Sequence, residues 1–324
     1  MDEIVVVKNL KKWFPIRAGL FARTKRRYVR AVDGVSFSIK RGEIFCLAGE
    51  SGCGKTTTGR TILRLEEPTS GEVLFEGKNV FTLDKKELKK FRREAQIIFQ
   101  DPYESLDPRM TVFDTIAEGL EIHKIGNSHS ERMEIVAKAL EDVGLTPVEE
   151  FIYRYPHELS GGQRQRVAIA SAMVLNPKFI VADEPVSMLD MSTRGAIINL
   201  LMNLKKNMML TFLFITHDLA LMKYISDRIA IMYLGKIVEK GPSVELIDNP
   251  YHPYSQALIS AVPSPNPDVG IGDINIKGDI SASLEVSEGC RFAPRCPYAS
   301  KKCLKNEPEL IEVAKNRYVA CHKV

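Results

Sequence analysis

Eight consecutive residues, Gly49-Glu50-Ser51-Gly52-Cys53-Gly54-Lys55-Thr56, follow the spacing Gly-x4-Gly-Lys-Ser/Thr. Glycines at those places let backbone N–H groups converge on phosphate oxygens, and a helix starting there adds the positive end of its dipole. Lys55 can then reach the outer phosphates of a nucleotide, and the Thr56 hydroxyl can ligate Mg2+. Glu50, Ser51, Gly52, Cys53 and Gly54 form the cradle, with Thr57 in the first helical turn. Farther on, the apolar run Phe179-Ile180-Val181-Ala182 ends in Asp183-Glu184. At the C-terminal edge of a strand beside a phosphate loop, Asp183 can hold Mg2+ and Glu184 can polarise an attacking water. Taken alone, two acids after a strand are equally a solvated turn. A third segment, Leu159-Ser160-Gly161-Gly162-Gln163, precedes a helical run. Ser160 can cap that helix while Gly161 and Gly162 expose N–H groups at its positive end. The alternative is an ordinary capped helix start.

A fourth constellation lies in the tail. Cys290-x5-Cys296-x6-Cys303-x17-Cys321 puts four thiols within 32 residues, whereas Cys46 and Cys53 lie in the early half. In an intracellular chain such a cluster reads as a metal site before it reads as disulfides. The absence of a Cys-x2-Cys clip speaks mildly against structural zinc. Four thiolates can hold a [4Fe–4S] cluster, and reduced or partly paired cysteines are the plain alternative. Arg291, Arg295, Lys301 and Lys302 are expected to offset the charge of such a cluster. A short proline- and glycine-rich segment holds few apolar residues, so ligation is expected to supply the missing stabilisation.

The elements that must position these residues are legible from periodicity. Alternation in Ile4-Val5-Val6-Val7 and Val35-Ser36-Phe37-Ser38-Ile39 predicts an antiparallel layer over residues 1–40. Glu43–Ala48 predicts a strand running into the glycine loop, and Thr56–Leu65 a helix. Leu88–Gln96 reads as a surface helix, and residues 112–175 show helical spacing throughout. Lys178–Ala182 and Leu210–Thr216 are dense apolar runs typical of parallel strands covered on both faces. Ile229–Glu239 reads as a hairpin turning at Gly235-Lys236. Strands alternating with helices imply an α/β class with a parallel core. From about Asn249, prolines and glycines predict a linker or extension without a strong helical period. The division expected is residues 1–250, with a helical subdomain at about 112–175, and residues 251–324.

The chain has 324 residues, 44% of them hydrophobic and 27% charged, which excludes wholesale disorder. No apolar run approaches the ~18 residues of a transmembrane helix, and the start Met1-Asp2-Glu3 carries no apolar signal region, so export is not expected. Formal charge is +4, yet residues 11–30 hold eight basic side chains and no acidic ones, leaving 37 basic against 41 acidic elsewhere. A chain acidic outside one segment is a poor dedicated nucleic-acid binder. The basic segment 17–30 reads as a solvated loop or hairpin, or as a contact for a partner protein or anionic lipid.

The phosphate loop, Leu-Ser-Gly-Gly-Gln and the Asp-Glu after an apolar strand, in this order, resemble the nucleotide-binding subunit of an ABC transporter over roughly residues 4–260. The resemblance implies a P-loop NTPase, RecA-like core that binds ATP with Mg2+. It implies that Gln100 touches Mg2+ or water and links two lobes. Asp190 would lie in a loop crossing a dimer interface, and His217 would contact the γ-phosphate. It implies that Phe14 stacks on adenine, with Trp13 as the rival. Ser160, Gly161, Gly162 and Gln163 would then face an ATP held by a second ATPase subunit. Gln100-Asp101-Pro102-Tyr103-Glu104-Ser105-Leu106-Asp107-Pro108-Arg109, Arg154-Tyr155-Pro156-His157-Glu158 and Asn249-Pro250-Tyr251-His252-Pro253-Tyr254 resemble the dipeptide/oligopeptide importers. That match implies a hetero-partner ATPase, two transmembrane permease subunits, an extracytoplasmic substrate-binding protein, and peptides or oligosaccharides as cargo. It also implies a peripheral place on the cytoplasmic face of the cell membrane and an iron–sulfur cluster on Cys290, Cys296, Cys303 and Cys321. The tail lies far in sequence from the nucleotide motifs, so a structural role or one at the membrane-subunit interface is expected. A soluble ABC ATPase acting on nucleic acid or in translation is the alternative.

Overall fold

The computed structural model describes residues 3–16, 27–101, 105–261 and 288–324. Residues 17–26 of the basic segment, Pro102-Tyr103-Glu104, and the prolines and glycines between 262 and 287 lie outside the described residues. Two compact units emerge, one made chiefly of residues 82–214, the other of residues 3–39, 43–81 and 215–324.

The second unit begins with long strands β1 (Glu3–Pro15) and β2 (Tyr28–Lys40). The Ile16 amide donates to the Arg27 carbonyl at 2.9 Å, so the two strands flank the basic segment as a hairpin does. Ile4, Val5, Val7 and Leu10 of β1 are all buried. The buried run β3 (Ile44–Ala48) leads through the glycine loop into α1 (Lys55–Ile62). Then come β4 (Ser70–Phe75) and β5 (Lys78–Asn79), and the antiparallel layer has the order β2-β1-β4-β5.

The first unit holds α2 (Lys85–Glu94) and β6 (Ala95–Ile98), then α3 (Val112–His123), α4 (His129–Asp142) and α5 (Gly161–Met173). It continues through β7 (Phe179–Asp183), α6 (Met191–Met208) and β8 (Thr211–Ile215), with neighbouring strands in the order β8-β7-β6. The surface helix expected to reach Gln96 stops at Glu94. Ala95–Ile98 instead pair in parallel with Phe179–Ala182, because burying Ala95 and Ile98 beside β7 outweighs one more helical turn. Each of α2 to α6 begins at a side chain that accepts from its first turn: Asp84, Thr111, Ser128, Ser160 and Asp190.

The chain returns to the second unit with α7 (Leu219–Ile225), β9 (Arg228–Tyr233) and β10 (Lys236–Pro242). β9 pairs in parallel with β3 and antiparallel with β10, turning at Leu234-Gly235, one residue before the position expected. α8 (Ser243–Asp248), α9 (Pro253–Ser260), α10 (Lys301–Lys305), β11 (Ile311–Ala314) and β12 (Arg317–Val319) complete it. Strand order here is β11-β12-β10-β9-β3.

This last part corrects two expectations. The supposed linker begins with a packed helix, α9, whose Pro253 occupies the first turn, where a missing N–H breaks no bond. The tail also shares a core with β9. Tyr254 and Phe292 are fully buried, with ring centroids 5.4 Å apart, and Tyr233 lies 4.7 Å from Tyr254 and 5.3 Å from Phe292. The His252 ring packs 5.8 Å from Phe292, and its Nδ1 accepts from the Tyr254 amide. Burial brings its pKa down to about 4. The unfolded chain therefore binds a proton there more readily, and acid weakens the fold as pH falls from the ordinary imidazole range towards about 4.

Glu239, wholly inaccessible on β10, ties this part together. Its carboxylate accepts from the amides of Tyr251 (3.0 Å) and His252 (2.9 Å) and from Arg317 (2.9 Å) on β12. Arg317→Met would leave that carboxylate buried with a partner missing. The expected loss is about 3–5 kcal/mol in urea unfolding, with Glu239→Gln in the same chain recovering much of it.

Candidate functional site

The phosphate loop departs from the C-terminal end of β3, a fully buried strand. Gly49 (φ 146°) and Gly54 (φ 107°) admit no side chain: a Cβ would stand 2.3 Å from the Met232 carbonyl oxygen and 2.0 Å from that of Ala31. Lys55 is buried, and its ammonium donates to the carbonyls of Gly49 (2.7 Å) and Glu50 (3.0 Å). Ser51 and Gly52 are exposed, Thr56 and Thr57 partly so. Cys53 is buried, which pushes its thiol up; Cys46, also buried, is pushed up to about 12.

Glu50 is held from outside the loop, a feature no local pattern announces. Its amide donates to the Tyr254 hydroxyl at 3.0 Å. Its carboxylate accepts both ends of the Arg295 fork, at 2.9 and 3.3 Å. Arg291 likewise pairs with Asp33, whose other oxygen accepts the Trp13 indole N–H at 3.0 Å. These arginines were expected to offset a metal cluster; they serve carboxylates of the nucleotide-binding half instead. The one sequence signal was an arginine beside each of two tail cysteines, which does not name a partner.

Trp13 is also stacked by Arg30, 4.7 Å from its ring, whereas Phe14 is exposed with Lys12 Nζ 4.8 Å from its ring. Of the two aromatics, Phe14 has the ring open to a ligand. His217 is exposed just after Thr216, whose amide meets the Leu47 carbonyl at 3.4 Å.

In the first unit, β7 delivers Asp183, buried, and then Glu184, which adopts φ 46°. A non-glycine residue in that region costs about 1–3 kcal/mol and is tolerated where its surroundings impose it. Here the Ser187 amide and hydroxyl both donate to the Glu184 carbonyl, at 3.1 and 3.0 Å. The Gln100 amide nitrogen donates to the Glu184 carboxylate at 3.2 Å, joining residues 84 apart in sequence.

Ser160 caps α5, accepting from the Gln163 amide, while the Gln163 side chain accepts from the Ser160 amide at 2.9 Å. Gly162 is required for space, since a Cβ there would stand 2.6 Å from the Thr193 methyl. Asp190 caps α6; hydrogen bonds from Ser192 and Thr193 hold its carboxyl at about 2. Leu106, within the segment Gln100–Arg109, is buried.

Cys290, Cys296, Cys303 and Cys321 do come together, lining one cavity of about 20 Å3 with His252, Phe292 and His322. Burial pushes the Cys290 thiol up to about 11 and that of Cys296 also upwards. Among the described residues no group of three or more His, Cys, Asp or Glu side chains is spaced to hold a metal ion. Among them, too, no helix is long and apolar enough to cross a membrane.

Residues 32–187 match the family described as ABC transporter, and residues 238–303 match the oligopeptide/dipeptide transporter C-terminal region. The chain is 52% identical over 308 residues to the oligopeptide transport ATP-binding protein OppF of Bacillus subtilis, covering 94% of this chain and 98% of that one. It is 48% identical to AppF of the same organism over 324 residues, 99% and 97% of the two chains. Among solved structures it resembles the ATP-binding cassette MJ0796 in a dimeric post-hydrolysis state bound to ADP and Pi, at TM-score 0.64 and 32% identity, covering 74% of this chain and 98% of that one. It also resembles cbiO1 of Clostridium perfringens, at TM-score 0.63 and 28% identity, covering 77% and 92%.

The contact at Gly162 yields a stability test. Gly162→Ala forces its methyl into that of Thr193, whose hydroxyl is already committed to Asp190 at 2.8 Å. Overpacking of this kind costs about 1–3 kcal/mol. Thr193→Ser, which lacks the offending methyl, is expected to restore the unfolding midpoint of the Gly162→Ala chain.

Proposed function

The chain belongs to the ATP-binding subunits of ABC transporters of the oligopeptide/dipeptide family, and on that footing we propose that it hydrolyses ATP to drive peptide import. The observation that supports this best is the phosphate loop, with glycines where backbone leaves no room for a Cβ and Lys55 drawn in among its carbonyls. Names of the relatives, oligopeptide transport proteins, favour peptides over oligosaccharides and over action on nucleic acid. The proposed partners are a second ATPase subunit of different sequence, two transmembrane permease subunits and an extracytoplasmic substrate-binding protein. Association with them would place the chain peripherally at the membrane's cytoplasmic face.

The proposed roles follow residue by residue. Backbone N–H groups of residues 50–57 receive the phosphates, and Lys55 exchanges its carbonyl partners for phosphate oxygens. Thr56 and Asp183 are hard oxygen donors of the kind Mg2+ accepts, and that ion usually takes only one or two carboxylates beside substrate phosphates. When bound, it neutralises charge on the phosphate oxygens. Glu184 accepts the proton of the attacking water, and Gln100 holds its carboxylate in place. His217 donates to the γ-phosphate, and Phe14 stacks on adenine. Ser160, Gly161 and Gly162 present the α5 terminus to ATP on the second ATPase subunit, with Gln163 holding the cap and Asp190 rigidifying the neighbouring turn.

Glu184→Gln keeps the shape and the bond to Gln100 while losing the base. ATPase turnover of the assembled transporter is expected to fall by ~10²-fold or more, with ATP binding retained. Turnover at the wild-type rate in that variant would remove Glu184 from the mechanism.

For the tail, four thiols facing one cavity support a [4Fe–4S] cluster as donors. The cavity, about 20 Å3, has room for about one water, so a cluster requires the thiols to part. Anaerobically purified protein is expected to be brown and to carry iron and sulfide at about four each per chain, lost in Cys296→Ser. Colourless anaerobic protein without iron would refute the cluster.

A further inference from the structure

Glu50 is the second residue of the phosphate loop, and three of its groups are engaged. Its amide meets the Tyr254 hydroxyl at 3.0 Å, its carbonyl takes the Lys55 ammonium at 3.0 Å, and its carboxylate takes the Arg295 fork at 2.9 and 3.3 Å. Two of the three partners come from beyond residue 250. The paired side chains are only 13% and 22% exposed, so water screens this ion pair far less than one on the surface. Arg295 also reaches the Tyr233 hydroxyl at 3.4 Å, which fixes the direction of its fork. Four residues upstream, Arg291 is anchored to Asp33, so the turn carrying Arg295 is pinned at both ends.

The chemistry gives this arrangement a consequence for nucleotide binding. A carboxylate one residue into a phosphate-binding loop repels the anion that the loop receives. Arg295 offsets that charge and, by holding Glu50, sets the carbonyl against which Lys55 waits. We propose that Arg295 is a positioning residue of the nucleotide site, through which the cysteine-bearing lobe governs how tightly the phosphate loop binds ATP. This inference rests on the ATPase reading above and extends it to a residue outside every nucleotide motif of the sequence.

The test is calorimetric titration of the full-length chain with MgATP. Arg295→Gln is expected to raise Kd about tenfold, the scale of one hydrogen bond to a charged group, without moving the thermal midpoint measured in the absence of nucleotide by a comparable margin. In a Glu50→Gln background there is no charge left to offset, so adding Arg295→Gln is expected to change Kd less than threefold. A purely structural Arg295 would lower the midpoint and weaken binding equally in both backgrounds; that result, or a Kd within twofold of wild type for Arg295→Gln, overturns the proposal. Should Arg295→Gln not fold, Arg295→Lys is read the same way: it keeps the charge and loses the fork, and its Kd is expected to rise about threefold. An unchanged Kd there overturns the proposal too. If the wild-type chain itself does not bind MgATP, the ATPase reading fails, which is a different outcome from a wild type that binds and an Arg295→Gln that binds equally well.

Discussion

The carbonyl oxygens of Ala31 and Met232 leave no room for a side chain at Gly54 and Gly49, and much of the second unit answers to that constraint. Those carbonyls belong to β2 and β9, so the phosphate loop runs where two strands permit it. β3 must deliver the loop at that height, hence its parallel register against β9, with Ala48 opposite Ile231. Where the loop passes so close to backbone, the Lys55 ammonium meets the carbonyls of Gly49 and Glu50 and, at 3.8 Å, the Cys53 sulfur. A buried ammonium satisfied by backbone oxygen is held in readiness for a better acceptor.

Glu184 shows the same economy in the first unit. Its backbone is left-handed just after the strand that carries it, and Ser187 holds its carbonyl while Gln100 holds its carboxylate. Residues with unfavourable geometry persist where several neighbours enforce them. Here the enforcing groups sit three residues away and 84 residues away, which couples a local turn to the strand ending at Ile98.

Sequence reasoning reached what is local. A glycine-lysine loop after a strand, an apolar run ending in two acids and a serine three residues before a glutamine each declare themselves within a few residues. In each case the residues that define the motif lie within a few positions of one another. What it missed depends on pairing at long range. Glu50 and Arg295 are 245 residues apart, and no periodicity connects them. The prolines after Asn249 suggest a linker, whereas Pro253 starts a helix and Tyr254 and Phe292 build a core with Tyr233 from a distant strand. The contacts of Trp13 are likewise distant in sequence: Asp33 accepts its indole N–H and Arg30 lies over its ring, whereas Phe14 is exposed.

The six thiols divide into two kinds. Cys46 and Cys53 are 0% and 3% exposed, whereas the four in the tail are all partly accessible. With the tail thiols reduced and stripped of any metal, a maleimide added to the folded chain therefore counts only the tail. The fifth and sixth modifications wait until β3 or the phosphate loop opens, since Cys46 lies within that strand and Cys53 within that loop. The protein thus contains its own clock for core opening, readable by mass without a tag or an added fluorophore, and stopped by whatever nucleotide holds the loop shut.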